Sequence, residues 1–209
     1  MDWDVHHGDG TQEIFYESDE VMFMSVHRYE NQAFFPHKEC GNYDYVGDKK
    51  GEGYNVNVAW NTTLTQDDPT DIGTKEYTYL FENLLFGIIK EYDPQLIIVS
   101  AGFDSALGDP LGMQQVEHNT YHWLSQNLQR ICPKILMVLE GGYNMDTLVS
   151  CATISVKALM GHKNDFLKGD VSEEDLVPEA LKAMKLTAAA HAKYWKSAKE
   201  FCDKHNVDY

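Results

Sequence analysis

Leu96-Ile97-Ile98-Val99-Ser100-Ala101-Gly102-Phe103-Asp104 decides the fold: an unbroken β-forming run, 96–100, that passes through small residues to a carboxylate. It is apolar on successive residues rather than alternate ones, the pattern of a strand covered on both faces within a parallel sheet. A second run of this kind occupies 135–139. Between them, Tyr121, Leu124, Leu128 and Ile131 recur at helical spacing within 120–131, so the three segments form a β-α-β unit. Upstream, 75–92 carries Tyr77, Leu80, Phe81, Leu84, Leu85, Ile88 and Ile89 on one broad helical face, and Asp93-Pro94 closes it. Residues 21–26 and 54–60 are further strand candidates. From Pro178 onward strong helix formers follow the acidic break Ser172-Glu173-Glu174-Asp175, predicting one or two helices packed on the outside. The class expected is α/β, a mostly parallel sheet sandwiched by helices, with a main body over 1–170 and a helical tail over 171–209.

Composition agrees with one domain. The chain has 209 residues, of which 43% are hydrophobic and 24% charged, an ordinary globular balance. Its apolar runs fall far short of the roughly 20 residues that a membrane span needs, and no basic-then-apolar leader opens it. A formal charge of −16, from 33 acidic against 17 basic residues, repels phosphate backbones and disfavours direct nucleic-acid binding. Cys40, Cys132, Cys151 and Cys202 form no C-x-x-C pair, which fits a reducing cytosol or nucleus better than a disulfide framework or a structural zinc site. An acidic and histidine-rich cluster begins at Asp2, with no strand, loop or cap before it to hold it. That position predicts an internal start or a fragment, with the sheet incomplete at its amino end.

Chemistry gathers at three places. Asp2, Asp4 and His6 alternate, so an extended chain puts them on one side; the bland alternative is a solvated acidic turn. Asp104 lies just past the carboxyl end of a buried strand, where open α/β sheets bind ligands, although caps and turns also use Asp there. After the 135–139 strand, Glu140-Gly141-Gly142-Tyr143-Asn144 lets backbone approach a ligand and presents a phenol that could steady an oxyanion, or could simply pack. Two carboxylates and an imidazole with an open position suit a hydrolytic metal.

Four stretches in one order carry a resemblance: 2–12 (DWDVHHGDGTQ), Ser25-Val26-His27-Arg28-Tyr29 with Phe34-Phe35-Pro36, Ser100-Ala101-Gly102-Phe103-Asp104, and Leu139-Glu140-Gly141-Gly142-Tyr143-Asn144. Over 2–159 the chain resembles the zinc-dependent histone deacetylases, especially the class II, cytoplasmic tubulin-deacetylase branch. The resemblance implies a carboxy-terminal part of an arginase/deacetylase-like catalytic domain. It implies Asp4, His6 and Asp104 as zinc ligands and Tyr143 as the group that hydrogen-bonds the acetyl carbonyl. Asp2 and Asp9 match carboxylates that orient two tandem catalytic histidines. Phe35 beside Phe34 resembles a wall of the acyl-lysine tunnel, with Leu111 and Gly142 also on the substrate side. Asp2, Asp4, His6, Ser25 and Val26 resemble one potassium site, and Phe15, Ser18, Val21 and Tyr54 a second. The implied reaction is hydrolysis of acetyl-lysine in proteins such as histone tails or tubulin, releasing acetate, in the cytoplasm or nucleus.

The family's tandem histidines have no match. His6-His7 is the sole adjacent pair, His6 is a ligand, and alternation turns His7 to the other side as a structural histidine. The chain alone is therefore expected to show near-background activity and to need an amino-terminal part. Three alternatives stand beside this reading. A polyamine deacetylase of the same family carries a glutamate at the position matched by Leu111. A truncated, non-catalytic paralogue would bind only metal or a partner. An arginase-type binuclear manganese enzyme favours Asp-x-His-x-Asp over the Asp-x-Asp-x-His found here. Mixed nitrogen and oxygen ligands would accept iron as well as zinc.

Overall fold

A computed structural model describes residues 1–62, 72–164 and 169–209. β1 (Phe23–Arg28) pairs in parallel with β2 (Asn55–Trp60), Phe23 opposite Asn55, and β3 (Ile97–Ala101) pairs in parallel with β4 (Ile135–Leu139), Ile97 opposite Ile135. Residues 1–5 join the two pairs. On one side the Asp2 N–H donates to Met24 O at 2.7 Å, Val26 N–H to Asp2 O at 3.1 Å, and Arg28 N–H to Val5 O at 2.8 Å. On the other, Ser100 N–H donates to Met1 O at 3.0 Å and Trp3 N–H to Ser100 O at 3.3 Å. The order is thus β2, β1, residues 1–5, β3, β4, all parallel. The opening segment, read from sequence as unsupported, is the centre of the sheet, with Trp3 and Val5 fully buried.

Helices pack around it. α1 is Asp9–Phe15, α4 (His118–Ile131) crosses from β3 to β4, and α5 (Met145–Leu159) lies against α4. The expected single helix over 75–92 is α2 (Thr74–Leu80) and α3 (Phe86–Tyr92) joined without a break by a π segment, Phe81–Leu85. Such a bulge inserts one residue per turn and shifts the apolar face without ending the helix. Asp93 then takes a left-handed conformation, φ 52°, and stops it. β1 runs two residues beyond its predicted end because Ser25, His27 and Arg28 are buried with polar partners. Ser25 Oγ meets His27 Nδ1 at 2.8 Å, and Arg28 Nε donates to Glu30 at 3.0 Å.

The tail forms two helices. α6 (Pro178–His191) docks on β2, where the Thr187 hydroxyl donates to Asn57 O at 2.9 Å, and α7 (Lys196–His205) packs on α3. Glu91 of α3 accepts the Lys196 and Ser197 N–H groups at 2.8 and 2.7 Å, supplying the cap that α7 lacks from its own sequence. Among the described residues Ile97 and Val99 of β3 are buried, whereas Ile98 and its partner Leu136 are half exposed. No helix of the described residues is long and apolar enough to cross a membrane.

His191 is fully buried against β2, where the nearby Asn55 backbone offsets only part of the cost of charging its ring. Burial pulls its pKa down to about 4. The unfolded chain therefore binds a proton near pH 6.5 that the folded chain refuses until about pH 4. The stabilising contribution is complete above pH 6.5 and is lost as pH falls toward 4, about 3 kcal/mol in all. Urea unfolding at pH 7 and pH 5 should show His191→Leu losing less stability on acidification than the parent; equal losses would refute this account.

Candidate metal centre

The carboxyl ends of the central segment, β3 and β4 converge on one point. Asp4 and His6 come from the first and Asp104 from the second, and Gly141 comes from the third. His6 Nδ1 lies 2.9 Å from Asp4 Oδ1 and 3.1 Å from Asp104 Oδ2. One donor atom from each of Asp4, His6 and Asp104 lies within 4.8 Å of the others. The carboxylates are held from behind by backbone: Val5 N–H donates to Asp104 Oδ1 at 2.7 Å, and Gly141 N–H to Asp4 Oδ2 at 2.8 Å. Asp104 is wholly buried, and its Oδ2 has no hydrogen bond of its own despite the nearby imidazole. An orphaned, buried carboxylate oxygen beside a second carboxylate is costly unless a cation satisfies it. The donor set fits a divalent ion with an open position.

Two glycines make room for this. A Cβ on Gly102 would sit 2.2 Å from Asp4 Oδ2, and one on Gly141 would sit 2.1 Å from Asp104 Oδ2. Electrostatics reflect the crowding of acids around one imidazole. Burial drives the Asp104 carboxyl up to about 6 against the opposing pull of the His6 imidazole beside it. Burial also disfavours charge on His6, yet the Asp104 and Asp4 carboxylates facing its Nδ1 outweigh it and raise the imidazole to about 9. Asp2, directly behind, is lifted to about 8 by burial and then by the charge of Asp4.

An aromatic rim surrounds the imidazole. Phe34 stacks on His6 at 5.2 Å and 15°, while Phe35 and Tyr143 meet it edge-on at 5.8 and 6.4 Å. Phe34 is buried, whereas Phe35, Leu111 and Tyr143 stand half exposed or more. Gly142 bends the chain at φ 137°, turning Tyr143 toward the opening. Sequence reading missed what sets this rim. The buried Asp109 accepts Leu111 N–H at 2.8 Å and Gly112 N–H at 3.0 Å on Oδ1, and Tyr143 N–H at 2.7 Å on Oδ2. Its only signal was the Asp109-Pro110 step, which reads as a tight loop.

Other predicted residues fall into place around the triad or away from it. The buried Asp2 carboxylate accepts Asp4 N–H at 3.0 Å and abuts Gly8. Asp9 begins α1 and pairs with Lys38 at the surface. His7 points to Gln12, Nε2 to Oε1 at 2.8 Å, within a buried network that also ties Asn55 and Asn57 to Gln12. Backbone pairing brings Asp2 beside Ser25 and Val26, around the Asp4 and His6 backbone. Phe15 O accepts Ser18 N–H at 3.0 Å and Tyr54 O accepts Phe23 N–H at 2.9 Å, with Val21 in the loop between.

Comparison with known proteins bears on this arrangement. Residues 1–159 match the model of the histone deacetylase domain. The chain is 36% identical to histone deacetylase HDA1 of Saccharomyces cerevisiae over 196 residues, 93% of this chain and 26% of that protein. It is also 36% identical to the human polyamine deacetylase HDAC10 over 201 residues, 96% of this chain and 29% of that protein. The crystal structure of the HDA15 HD domain superimposes with a TM-score of 0.83 at 35% identity, covering 97% of this chain and 52% of that one. The chain thus spans between a quarter and a third of these curated relatives and about half of the solved domain. A match over more than half of its length, joined to an arginase/deacetylase-like parallel sheet, places the chain in the histone deacetylase family.

Proposed function

We propose that the site formed here serves zinc-dependent hydrolysis of acetyl-lysine in proteins, with acetate released. The observation that carries this reading is the Asp4, His6 and Asp104 triad at the foot of an aromatic rim that includes Tyr143. Bound by these three side chains, the ion would supply Lewis-acid polarisation of the amide carbonyl. The chain's own residues do the rest. Val5 and Gly141 N–H groups fix the carboxylates, so the ligands need little rearrangement. The Tyr143 hydroxyl is placed to donate to the carbonyl oxygen as negative charge grows on it. Phe34, Phe35 and Leu111 offer apolar surface to the lysine stem and keep water from it. We assign Asp2 and Asp9 to orienting a histidine base that the described residues do not supply, since His6 is held by carboxylates and His7 by Gln12. Potassium at the Asp2, Asp4, His6, Ser25, Val26 set, and more weakly at Phe15, Ser18, Val21, Tyr54, would brace the central segment.

Acetylated protein is favoured over polyamine, although one relative is a polyamine deacetylase. A second ammonium needs a free carboxylate at the rim, yet position 111 is leucine, and both Asp109 oxygens are already committed to backbone N–H groups. Histone tails and tubulin are candidate substrates. Four free cysteines support a reducing compartment, cytosol or nucleus.

A ligating imidazole must be unprotonated, and His6 holds its proton up to about pH 9, so metal uptake below that pH must displace it. Apparent zinc affinity should therefore rise with pH by up to about tenfold per unit between 6 and 8. Calorimetry in buffers of different ionisation enthalpy should register close to one proton released per ion. Uptake that is independent of pH, or unchanged in His6→Ala, would remove the assigned ligand set.

The zinc-loaded chain should bind a hydroxamate analogue of acetyl-lysine, and Tyr143→Phe should weaken that binding by about tenfold through loss of one hydrogen bond. Fluorescence polarisation measures this, with acetylspermidine and an acetyl-lysine peptide as competitors. Preference for the polyamine would reverse the substrate assignment. Turnover of a fluorogenic acetyl-lysine peptide by the 209-residue chain should stay near background, and brisk zinc-dependent turnover would show that a base has been overlooked.

A further inference from the structure

Arg28, at the carboxyl end of β1 beside the central segment, is an arginine with only 1% of its surface exposed. A charge buried to that degree persists only when its donors are matched. Three groups meet its guanidinium. Nε donates to Glu30 Oε1 at 3.0 Å, Nη1 donates to Gly112 O at 3.4 Å, and Cζ lies over the Phe34 ring, 4.7 Å from the centroid. Two of these groups belong to opposite sides of the mouth. Phe34 is the ring that stacks on His6, and Gly112 closes the 109–112 turn that carries Leu111.

Both sides are strained as well as joined. Glu30, Asn31 and Gln32 take φ of 52°, 51° and 72° in succession, and Met113, next to Gly112, takes 54°. L side chains disfavour that region, so such backbone persists only where surrounding contacts over-determine it. At Glu30 those contacts include Arg28 and Thr62, whose N–H and hydroxyl donate to the carboxylate at 2.9 and 3.3 Å. At Gly112 the backbone lies tight against a triad member, since a Cβ there would sit 1.8 Å from Asp104 O. The guanidinium fastens the carbonyl of that same residue.

We infer that Arg28 is a positioning residue that fixes the gap across the mouth, acting through Phe34 and Gly112 rather than on the reacting atoms. The task asks for an arginine. A flat, permanently charged fork donates along its edge to a carboxylate and a carbonyl while its face covers a ring, and an ammonium has neither the fork nor the face. The inference deepens the acetyl-lysine reading and rests on it for what the gap admits, whereas the geometry stands on Arg28 and its partners alone.

Hydrogen exchange read by mass spectrometry tests the geometry on the metal-free chain. Arg28→Lys should raise exchange by about tenfold in peptides over both 29–36 and 107–114, while α4 keeps the parent rate. Zinc loading then tests the purpose. Arg28→Lys should weaken hydroxamate binding by about tenfold, with zinc affinity held within about twofold. Arg28→Ala removes the guanidinium outright, and millimolar guanidinium ion should return both exchange and hydroxamate binding toward the parent, a rescue that a general loss of stability does not permit. If Arg28→Ala fails to fold, Arg28→Lys decides. Looser exchange on one side only, or on neither, would overturn the inference, as would loosened peptides with hydroxamate binding unchanged or a folded Arg28→Ala indifferent to guanidinium. A parent chain that takes up zinc yet ignores the hydroxamate would defeat the acetyl-lysine reading and leave the exchange result to decide the role of Arg28.

Discussion

The hydrogen-bonded placement of residues 1–5 between β1 and β3 is the constraint on which the rest depends. It fuses two strand pairs into one sheet, and it carries Asp4 and His6 to the edge where Asp104 and Gly141 also arrive. Remove this segment and the two strand pairs separate, the buried Trp3 leaves the core, and the triad loses two of its three members. Site and fold share one element, so the site's geometry is as stiff as the sheet itself. Supporting N–H groups at Val5 and Gly141 extend that stiffness to the carboxylate oxygens.

Crowding gives the same element its chemical character. Three carboxyl groups, Asp2, Asp4 and Asp104, lie together with one imidazole among them. Asp2 and Asp104 are pushed upward chiefly by burial, while the imidazole is pulled upward by its neighbours. Metal uptake at a site arranged in this way would release protons in the same event, so its occupancy would follow both metal supply and acidity.

Much of this was legible in the residues. The continuous apolar run before Asp104 marked a buried parallel strand, and alternation in Asp2, Asp4 and His6 marked a shared side. The helical spacing at Tyr121, Leu124, Leu128 and Ile131 marked the crossover now seen as α4. What periodicity could not deliver depends on long-range pairing. Nothing local to residues 1–5 says that they are a central strand, because their hydrogen-bond partners lie about 20 and 100 positions away. The π segment in the long helix keeps an unbroken apolar face and so reads as ordinary helix. Asp109 was passed over because a loop aspartate is common, and only coordinates reveal that its carboxylate serves three N–H groups.

Asp109 also bears on how such a rim can vary. One buried side chain fastens the 109–112 turn to the backbone of Tyr143, so the gap between Leu111 and the phenol is governed by a single rotamer. Residue 111 can change identity, from leucine to a charged or bulkier type, without moving the phenol, because its backbone is pinned whatever its side chain. The identity of residue 111 and the alignment of the phenol are thereby uncoupled, so that one can vary while the other is kept.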